Sequence, residues 1–344
     1  RHTVVDPTII SRRTLFLAPL ALAACKDRTS IIEIVGRTMG TTYTVVAIDQ
    51  TGTLSRTKVQ GAIDGELAKV NAQMSNWDAA SEVSMFNAAK TTDDFAVSAE
   101  FAQVMAAAEE VHTLSGGQFD VTTGPLIEAW GFGARNPGDA LPSDSVIEAA
   151  LRASGQAKQI TVGTGTLRKA NSDTQIYLSA IGKGFGVDAV GNALRGLGLD
   201  NFMVEIGGDM VTAGVNPDGN PWQIGIETPD AYDRTIQRIV GISDMGLATS
   251  GDYRNYFEVD GQRYSHILDA TTGRPITHKT ASATVLTENA MLADAWATGM
   301  LALGSETGLE LADALDMAVL FIDRADDGAG FVTRPSRAYV QVTA

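Results

Sequence analysis

Two oxygen-bearing side chains stand one helical turn apart in an apolar stretch of the sequence. Asp294 and Thr298 are four residues apart in a predicted helix over residues 289–303, so their oxygens lie on one helical face. A hard cation such as Mg²⁺ takes oxygen ligands, usually together with water and substrate phosphates. The alternative is a surface aspartate and a threonine bonded to its own helix. The apolar neighbours weaken that alternative, because a buried carboxylate needs a partner.

A glycine-rich turn around one lysine follows a predicted strand. Residues 178–186 read LSAIGKGFG and lead into a predicted helix over residues 187–197. Free N–H groups at such a turn attract an anion, and Lys183 adds a point charge. The spacing matches neither the GxxxxGK[ST] phosphate loop nor the GxGxxG dinucleotide motif. On these residues alone, a tight connection between strand and helix is the favoured interpretation.

Other segments carry residues suited to ligand binding, although each is a weak signal by itself. His266 ends a predicted strand, and histidine is the usual proton carrier near neutral pH. Residues 206–209 (IGGD) and 249–253 (TSGDY) have the composition of turns that approach a ligand, which ordinary hairpin ends share. Residues 118–122 (QFDVT) carry aromatic and amide groups that can contact a ring.

Periodicity predicts the elements that position these residues. Alternating β-branched and polar residues predict two strands within 31–48, separated by a break at 39–41. Apolar residues at every third or fourth position predict helices over 59–74 and 99–114, the second capped by Ser98. Ser145 and Glu148 have the spacing of a capping box for a helix over 146–153.

The second half mixes strands and helices without strict βαβ alternation. Further strands are predicted over 159–162, 175–178, 202–206, 222–227, 283–286, 318–322 and 339–342. A hairpin joins 256–259 to 263–268, and a last helix covers 308–315. Since there is no internal repeat or low-complexity linker, we predict one large α+β unit whose helical N-terminal half packs against an antiparallel-rich sheet.

Composition excludes several functional classes. The 344 residues are 44% hydrophobic and 19% charged, which indicates a globular protein. The formal net charge of −15 repels phosphate backbones, so nucleic acid is not an expected partner. Cys25 is the single cysteine, which excludes an intramolecular disulfide, a cysteine zinc site and a CxxC redox pair.

The N-terminal segment has the pattern of an export signal. Arg12 and Arg13 precede an apolar run over 15–24 that is too short to span a bilayer, which favours a twin-arginine signal over residues 1–25. The run ends in LAAC, which resembles a lipobox with Cys25 as the acylated residue; the alternative is a signal with an incidental cysteine. We therefore expect a periplasmic protein tethered to a membrane through Cys25, with its functional domain over residues 31–344.

Taken together and in order, the motifs resemble the ApbE family of FAD:protein FMN transferases. The similarity extends from about residue 39 to residue 303. It is carried by MGT (39–41), MSNW (74–77), SE (81–82), FN (86–87), FDVT (119–122), GPL (124–126), WGFG (130–133), SAIGKG (179–184), GG (207–208), TSGDY (249–253), YSHI (264–267) and ADAWAT (293–298).

The resemblance implies a fold, a reaction and a set of site residues. The fold is of the T-fold-like ApbE type, and the reaction moves FMN from FAD onto a Thr or Ser hydroxyl of a partner protein, releasing AMP. By this resemblance, Mg²⁺ is expected to be bound by the Asp294 and Thr298 side chains and the carbonyl of Ala180. Lys183, His266 and Asp294 are implied as catalytic residues, and either His266 or Asp294 accepts the hydroxyl proton. The implied FAD contacts are Met39, Trp77 (where Tyr is more usual), Gln118, Phe119, Asp120, Lys183, His266, Ile267 and Leu268.

One position departs from the family pattern. Tyr177 stands where the family usually has an Asp that contacts the nucleotide, and a neutral phenol replaces that charge. The expected acceptor is an extracytoplasmic domain of a membrane redox protein with a Thr or Ser flavinylation site, as for the exported accessory protein of nitrous oxide reduction. Two alternatives stay open: an FAD-binding accessory protein without catalysis, which Tyr177 supports, and an FAD pyrophosphatase that releases FMN and AMP.

Overall fold

The structure is a computed structural model that describes residues 29–132, 140–230, 236–253, 256–326, 328 and 330–344. The predicted signal and lipobox over residues 1–25 lie outside the described residues. Within the described ranges, no helix combines the length and the apolar character that crossing a membrane requires.

The described chain contains helices and strands in mixed order. The helices are α1 Arg56–Met74, α2 Glu82–Ala88, α3 Ala99–Leu114, α4 Gly124–Trp130, α5 Asp144–Ala153, α6 Gln156–Gln159, α7 Gly182–Gly196, α8 Ala290–Ala314 and α9 Arg337–Val342. The strands are β1 Ser30–Thr38, β2 Thr41–Asp49, β3 Phe95–Ala96, β4 Ile160–Val162, β5 Thr166–Lys169, β6 Phe202–Ile206, β7 Asp209–Ala213, β8 Trp222–Glu227, β9 Ile236–Ile242, β10 Gly246–Gly251, β11 Tyr256–Val259, β12 Gln262–Ser265, β13 Leu268–Asp269, β14 Arg274–Pro275, β15 Thr280–Thr287, β16 Ala318–Arg324 and β17 Phe331–Pro335.

An eight-stranded antiparallel sheet forms the centre of the molecule. Its strand order is β1-β2-β6-β7-β10-β15-β16-β17, so strands from both halves of the chain contribute. Helices α7 and α8 cover one face, where they contact β6, β7, β10 and β15. The β8–β9 ribbon and α9 bury Trp222 and Tyr339 against the other face. The α+β prediction is confirmed.

Helices α7 and α8 pack unusually close together at their N-terminal ends. A Cβ on Gly184 would lie 2.2 Å from the Ala290 carbonyl oxygen, whereas a Cβ on Gly182 would meet its nearest neighbour at 3.6 Å. Glycine at position 184 therefore permits an approach that any side chain would block. The Asp188 carboxylate, on α7, accepts hydrogen bonds from the N–H groups of Ala290 and Met291, both at 2.9 Å. This carboxylate satisfies two of the free N-terminal donors of α8, and the Asn289 side chain accepts from a third, the Leu292 N–H.

Local signals predicted many of these elements correctly. The helix over 99–114 is confirmed with Ser98 as its N-cap, and the strands over 202–206 and 222–227 are confirmed at both ends. The predicted break at 39–41 is the turn between β1 and β2, where Met39 has φ of 50°.

Two strand predictions were wrong. Residues 339–342 belong to helix α9, because the Ser336 hydroxyl caps the helix by accepting from the Tyr339 N–H at 3.2 Å. Residues 175–178 are extended but form no strand, since their backbone pairs with side chains and with the Val121 carbonyl.

Several helix and hairpin boundaries also differ from the prediction. Helix α5 begins at Asp144 after Ser143, and no side chain caps it, so the Ser145–Glu148 capping box was wrong. Helix α7 begins at residue 182 rather than 187. The two helices predicted over 289–303 and 308–315 correspond to the two parts of α8, which are separated at Gly304, where φ is 76° and ψ is 167° and the backbone is not helical. The second hairpin strand ends at Ser265, before the short β13.

Candidate functional site

The close packing of α7 on α8 brings two predicted site residues together. Lys183 lies in the first turn of α7, and Asp294 lies in the second turn of α8. The Gly184 N–H donates to Asp294 Oδ2 at 3.0 Å, which fixes the carboxylate against the lysine-bearing turn. Asp294 is only 4% exposed. The structure thus joins the two motifs that the sequence analysis treated separately.

Asp209 is a third member of this cluster, and it is not among the predicted site residues. The Lys183 ammonium forms an ion pair with Asp209 Oδ2, and the Asp209 carboxyl group is close enough to that of Asp294 for the two to interact electrostatically. Gly207 and Gly208 turn the chain between β6 and β7 with φ values of 58° and 100°. The IGGD turn was the signal for this residue, because it delivers Asp209 to the cluster at the first position of β7.

Burial and like charge make this cluster electrostatically unbalanced. Burial raises the pKa of Asp294, and the neighbouring Asp209 carboxylate raises it further, against the attraction of Lys183. Burial also raises the pKa of Asp209, although Lys183 opposes that shift. One ammonium thus faces two buried carboxyl groups, and a bound cation would balance the second carboxylate charge.

Thr298 extends the cluster by one helical turn. Its hydroxyl lies 3.1 Å from the Ser250 hydroxyl at the end of β10. Nearby, Asp252 accepts from both terminal nitrogens of Arg324, at 2.6 and 2.9 Å, which anchors the chain directly after β10. The TSGDY segment therefore orients the Thr298 hydroxyl and fixes the strand end. The composition of this segment indicated a ligand-approaching turn, but neither contact was predictable from it.

The donor set fits a hard divalent cation. Asp294 offers a carboxylate, Thr298 a hydroxyl, and Ala180, at the entrance to α7, a backbone carbonyl. Across the described ranges, no cluster of three or more His, Cys, Asp or Glu residues forms a metal centre. A cation at Asp294 would therefore take most of its ligands from neutral oxygens, water and substrate, which suits Mg²⁺ better than a transition metal.

A pocket of about 420 Å³ lies beside the chain that leads to Lys183. It is lined by Asn76, Trp77, Ala79, Ser84, Asn87, Ala88, Lys90, Gln175 and Tyr177. The Trp77 side chain is 95% exposed, so a flat ligand can stack on it. The Tyr177 ring packs on Gly124, where a Cβ would lie 1.9 Å from the ring, and its hydroxyl donates to Glu128 at 2.7 Å. Burial and Glu128 raise the pKa of Tyr177, which keeps the phenol neutral.

Residues 118–120 contribute unequally to a surface for ligands. Phe119 is buried in the core, and both oxygens of Asp120 are used locally, accepting from the N–H groups of Thr122 and Gln156 at 2.7 Å. Gln118 donates to Asp269 at 3.2 Å, while its Oε1 is buried without a hydrogen-bond partner among the described residues. Gln118 is therefore the side chain of this segment with unused hydrogen-bonding capacity.

His266 lies at the end of an aromatic row. Its ring centroid is 6.4 Å from that of Phe132, and the row continues through Phe257, Tyr264 and Trp130 at spacings of 5.2 to 5.7 Å. Ile267 and Leu268, which follow His266, are buried. Met39 lies instead beside α7, since a Cβ on Gly186 would be 2.6 Å from its Cε. The structure thus places Met39 near the lysine turn.

Comparison with known proteins establishes the family. A model described as the ApbE family matches residues 39–321. The chain belongs to the ApbE family. It is 43% identical over 309 residues to an FAD:protein FMN transferase of Vibrio cholerae, covering 90% of this chain and 92% of the relative. It is 41% identical over 332 residues to one of Haemophilus influenzae, covering 94% and 95%.

Solved structures support the same assignment. The flavin transferase ApbE from Vibrio cholerae superposes with a TM-score of 0.83 at 40% identity, covering 91% of this chain and 99% of that one. The apo flavinyl transferase ApbE of Pseudomonas stutzeri gives 0.83 at 36% identity, covering 92% and 97%. The resemblance seen in the sequence, and the ApbE-type fold it implied, are therefore confirmed.

The Asp209–Asp294 contact predicts how this family member responds to pH. Because the folded-state pKa of Asp294 is raised, its contribution to stability is present at low pH and is lost as the pH rises. Asp294→Asn keeps an acceptor for Gly184 and removes the charge. We expect it to raise the free energy of unfolding more at pH 8 than at pH 5, by about 1.4 kcal/mol for each pKa unit by which burial and Asp209 raise the Asp294 pKa.

Urea unfolding in EDTA at both pH values measures this difference. Asp218→Asn, on an exposed loop, is the matched control and should change little at either pH. A destabilisation by Asp294→Asn of equal size at pH 5 and pH 8 would show that the paired carboxyl groups are not under strain.

Proposed function

We propose that this member of the ApbE family transfers FMN from FAD to a Thr or Ser hydroxyl of an acceptor protein. The proposal is supported mainly by the cluster of Lys183, Asp209 and Asp294. In the sequence, Lys183 follows closely after Tyr177, which lines the aromatic pocket. The relatives named above, which cover nearly all of this chain, carry this activity in their names.

The reaction displaces one phosphate of a pyrophosphate by another oxygen. The acceptor hydroxyl oxygen attacks the phosphorus of the FMN half, the bond from that phosphorus to the bridging oxygen breaks, and AMP leaves with the bond's electron pair. The hydroxyl proton passes to a base on the enzyme. Catalysis of such a transfer depends on positioning the groups and balancing negative charge.

Lys183 supplies a fixed positive charge for the diphosphate. Its ion pair with Asp209 holds the ammonium at the start of α7, where it is 30% exposed and therefore accessible to a ligand. The partner carboxylate is 3% exposed, so the pair sits at the boundary between core and solvent. An interaction made there is stronger than one made in open water.

Mg²⁺ is the cation that we assign to the neighbouring oxygens. The Asp294 carboxylate, the Thr298 hydroxyl and the Ala180 carbonyl would hold it, and Ser250 would orient the Thr298 hydroxyl. When bound, Mg²⁺ balances negative charge on the pyrophosphate. The Gly184 N–H keeps the Asp294 carboxylate in place before any ligand arrives.

Two side chains can take the acceptor's proton. His266 is half-buried beside the aromatic row, and Asp294 lies in the charged cluster. Substitutions distinguish the two side chains. His266→Gln removes a candidate base without altering the cation ligands, whereas any substitution of Asp294 alters the candidate base and a cation ligand together. His266 is therefore the position at which a base can be tested separately.

The pocket beside Trp77 and Tyr177 is our proposed site for one flat ring of FAD. Trp77 offers an exposed indole face, and Lys90 and Gln175 add polar groups at the pocket wall. The other proposed contacts are Met39 beside α7, Gln118 with its unpaired oxygen, and the chain over residues 266–268. Phe119 and Asp120 can contribute through backbone, because their side chains are engaged elsewhere.

We also propose that the chain is exported and anchored outside the cytoplasm. The basis is the sequence pattern of Arg12, Arg13, the apolar run and Cys25. This location agrees with an acceptor on the extracytoplasmic side of a membrane redox protein, including the system that supports nitrous oxide reduction.

The transfer reaction has a direct assay. We expect FAD, Mg²⁺ and an acceptor domain with the target hydroxyl to give a fluorescent flavin band that survives denaturing electrophoresis. EDTA should abolish the band, and Asp294→Ala should reduce labelling at least about 100-fold because a cation ligand and the contact with Gly184 are both lost.

Asp218→Ala, an exposed substitution, is the control and should label normally. Release of free FMN and AMP with no labelled acceptor would instead identify an FAD pyrophosphatase. Retention of FAD with neither product would identify a binding accessory protein, the alternative that Tyr177 raised.

Anchoring is tested by expressing the full chain in a bacterium that has the twin-arginine route. We expect radioactive palmitate to label the wild-type protein and the label to disappear in Cys25→Ala, with the variant recovered in the soluble periplasmic fraction. Equal membrane association of both proteins without label would contradict the lipid anchor.

A further inference from the structure

The segment over residues 175–178 is held by two asparagine side chains. Its residues alternate as a strand does, with Ile176 and Leu178 buried and Tyr177 half-buried, yet it belongs to no sheet. Its backbone polar groups pair with Asn76, Asn87 and the Val121 carbonyl. Side chains therefore make hydrogen bonds that a neighbouring strand would otherwise make.

Four hydrogen bonds define this arrangement, which we call the amide clamp of Asn76 and Asn87. Asn76 donates to the Ile176 carbonyl at 2.8 Å and accepts from the Leu178 N–H at 3.0 Å. Asn87 donates to the same carbonyl at 2.8 Å and accepts from the Ile176 N–H at 2.7 Å. Each side chain acts as donor and acceptor at once, as a peptide group does.

The two asparagines come from rigid neighbours. Asn76 follows the C-terminal end of α1, and Asn87 is the penultimate residue of α2. The Lys169 ammonium donates to the carbonyls of Asn87 and Ala89, at 3.2 and 2.9 Å, and these bonds stabilise the C-terminal end of α2. The amide clamp thus fixes the segment relative to two helices.

The clamped segment connects the aromatic pocket to the charged cluster. Tyr177, between the two clamped residues, lines the pocket. The Leu178 carbonyl accepts from the Gly182 N–H at 2.7 Å, which begins the turn that carries Lys183. Only a few residues separate the pocket from Lys183, and the amide clamp holds their backbone. The clamp therefore helps to determine the distance between the pocket and Lys183.

We propose that Asn76 and Asn87 are positioning residues that hold the pocket and the lysine turn at the spacing of one dinucleotide. The inference rests on the proposed function, since it takes FAD as the molecule that spans both places. Loss of the clamp should weaken a ligand that spans them more than a ligand that occupies only one. A purely structural role would weaken all ligands alike.

The test measures equilibrium binding with the full chain, in Mg²⁺ and without acceptor. For Asn76→Ala and Asn87→Ala we expect the Kd of FAD to rise at least about tenfold, because the spanning ligand loses its matched spacing. Because both asparagines also line the pocket, the Kd of whichever of FMN and ADP occupies it should rise too, but by less than the Kd of FAD. Asn192→Ala is the matched control, a helical asparagine on α7 that accepts from Arg195, and it should leave all three Kd values unchanged.

A second pair of variants guards against misfolding. Asn76→Asp and Asn87→Asp keep the shape and the acceptor but place a carboxylate oxygen against the Ile176 carbonyl, so we expect the Kd of FAD to rise at least as much as in the alanine variants. Hydrogen exchange of the peptide over residues 174–180 should quicken in all four variants. Equal weakening of FAD, FMN and ADP, or unchanged FAD binding despite faster exchange, would overturn the proposal.

The readouts separate this inference from the proposed function. Transfer to an acceptor enters none of them, so FAD binding with no labelling would defeat the proposed function and leave the amide clamp intact. Conversely, normal labelling by the wild-type protein together with unchanged FAD affinity in the clamp variants would defeat the clamp alone.

Discussion

The packing of α7 against α8 is the constraint on which the candidate site depends. Gly184 allows the two helices to pack so closely that its N–H donates a hydrogen bond to Asp294. The preceding residue, Lys183, is thereby held beside two carboxyl groups. Asp188 joins the same helices one turn further on. Burial raises the pKa of Asp188 to about 6, although two N–H groups of α8 lower it. The fold therefore buries more acidic groups here than its own stability favours, which is common where structure serves binding.

The central sheet and the segment before α7 supply the remaining parts from distant points of the chain. The β6–β7 turn delivers Asp209, β10 delivers Ser250, and the extended segment before α7 carries Tyr177. None of these residues is near Asp294 in sequence. Rigid elements on both sides of the cluster hold the charges in advance of ligand binding, so little reorganisation is needed when a diphosphate arrives.

Local patterns in the sequence predicted what depends on local physics. The Ser98 cap and the apolar spacing that follows fixed the limits of α3, and helical spacing placed Asp294 and Thr298 on one face. Contacts between segments remote in sequence were harder to predict from local patterns. Asp209 was visible only as part of a glycine turn. Buried and half-buried residues alternate over 175–178 as in a strand, but the hydrogen-bond partners of this segment are asparagines about a hundred residues away. Hydrophobic periodicity cannot predict hydrogen bonds of this kind. Residues 339–342 alternate too, yet the Ser336 cap makes them helical.

In the proposed mechanism, Asp294 and Thr298 form a cation site that a bound diphosphate completes. Electron paramagnetic resonance of Mn²⁺, a substitute for Mg²⁺, measures cation binding directly, with and without ADP. We expect ADP to tighten Mn²⁺ binding at least about tenfold beyond the affinity of Mn²⁺ for ADP alone, and Thr298→Val to remove most of this gain. Equal Mn²⁺ affinity with and without ADP, or full retention of the gain in Thr298→Val, would contradict this mechanism.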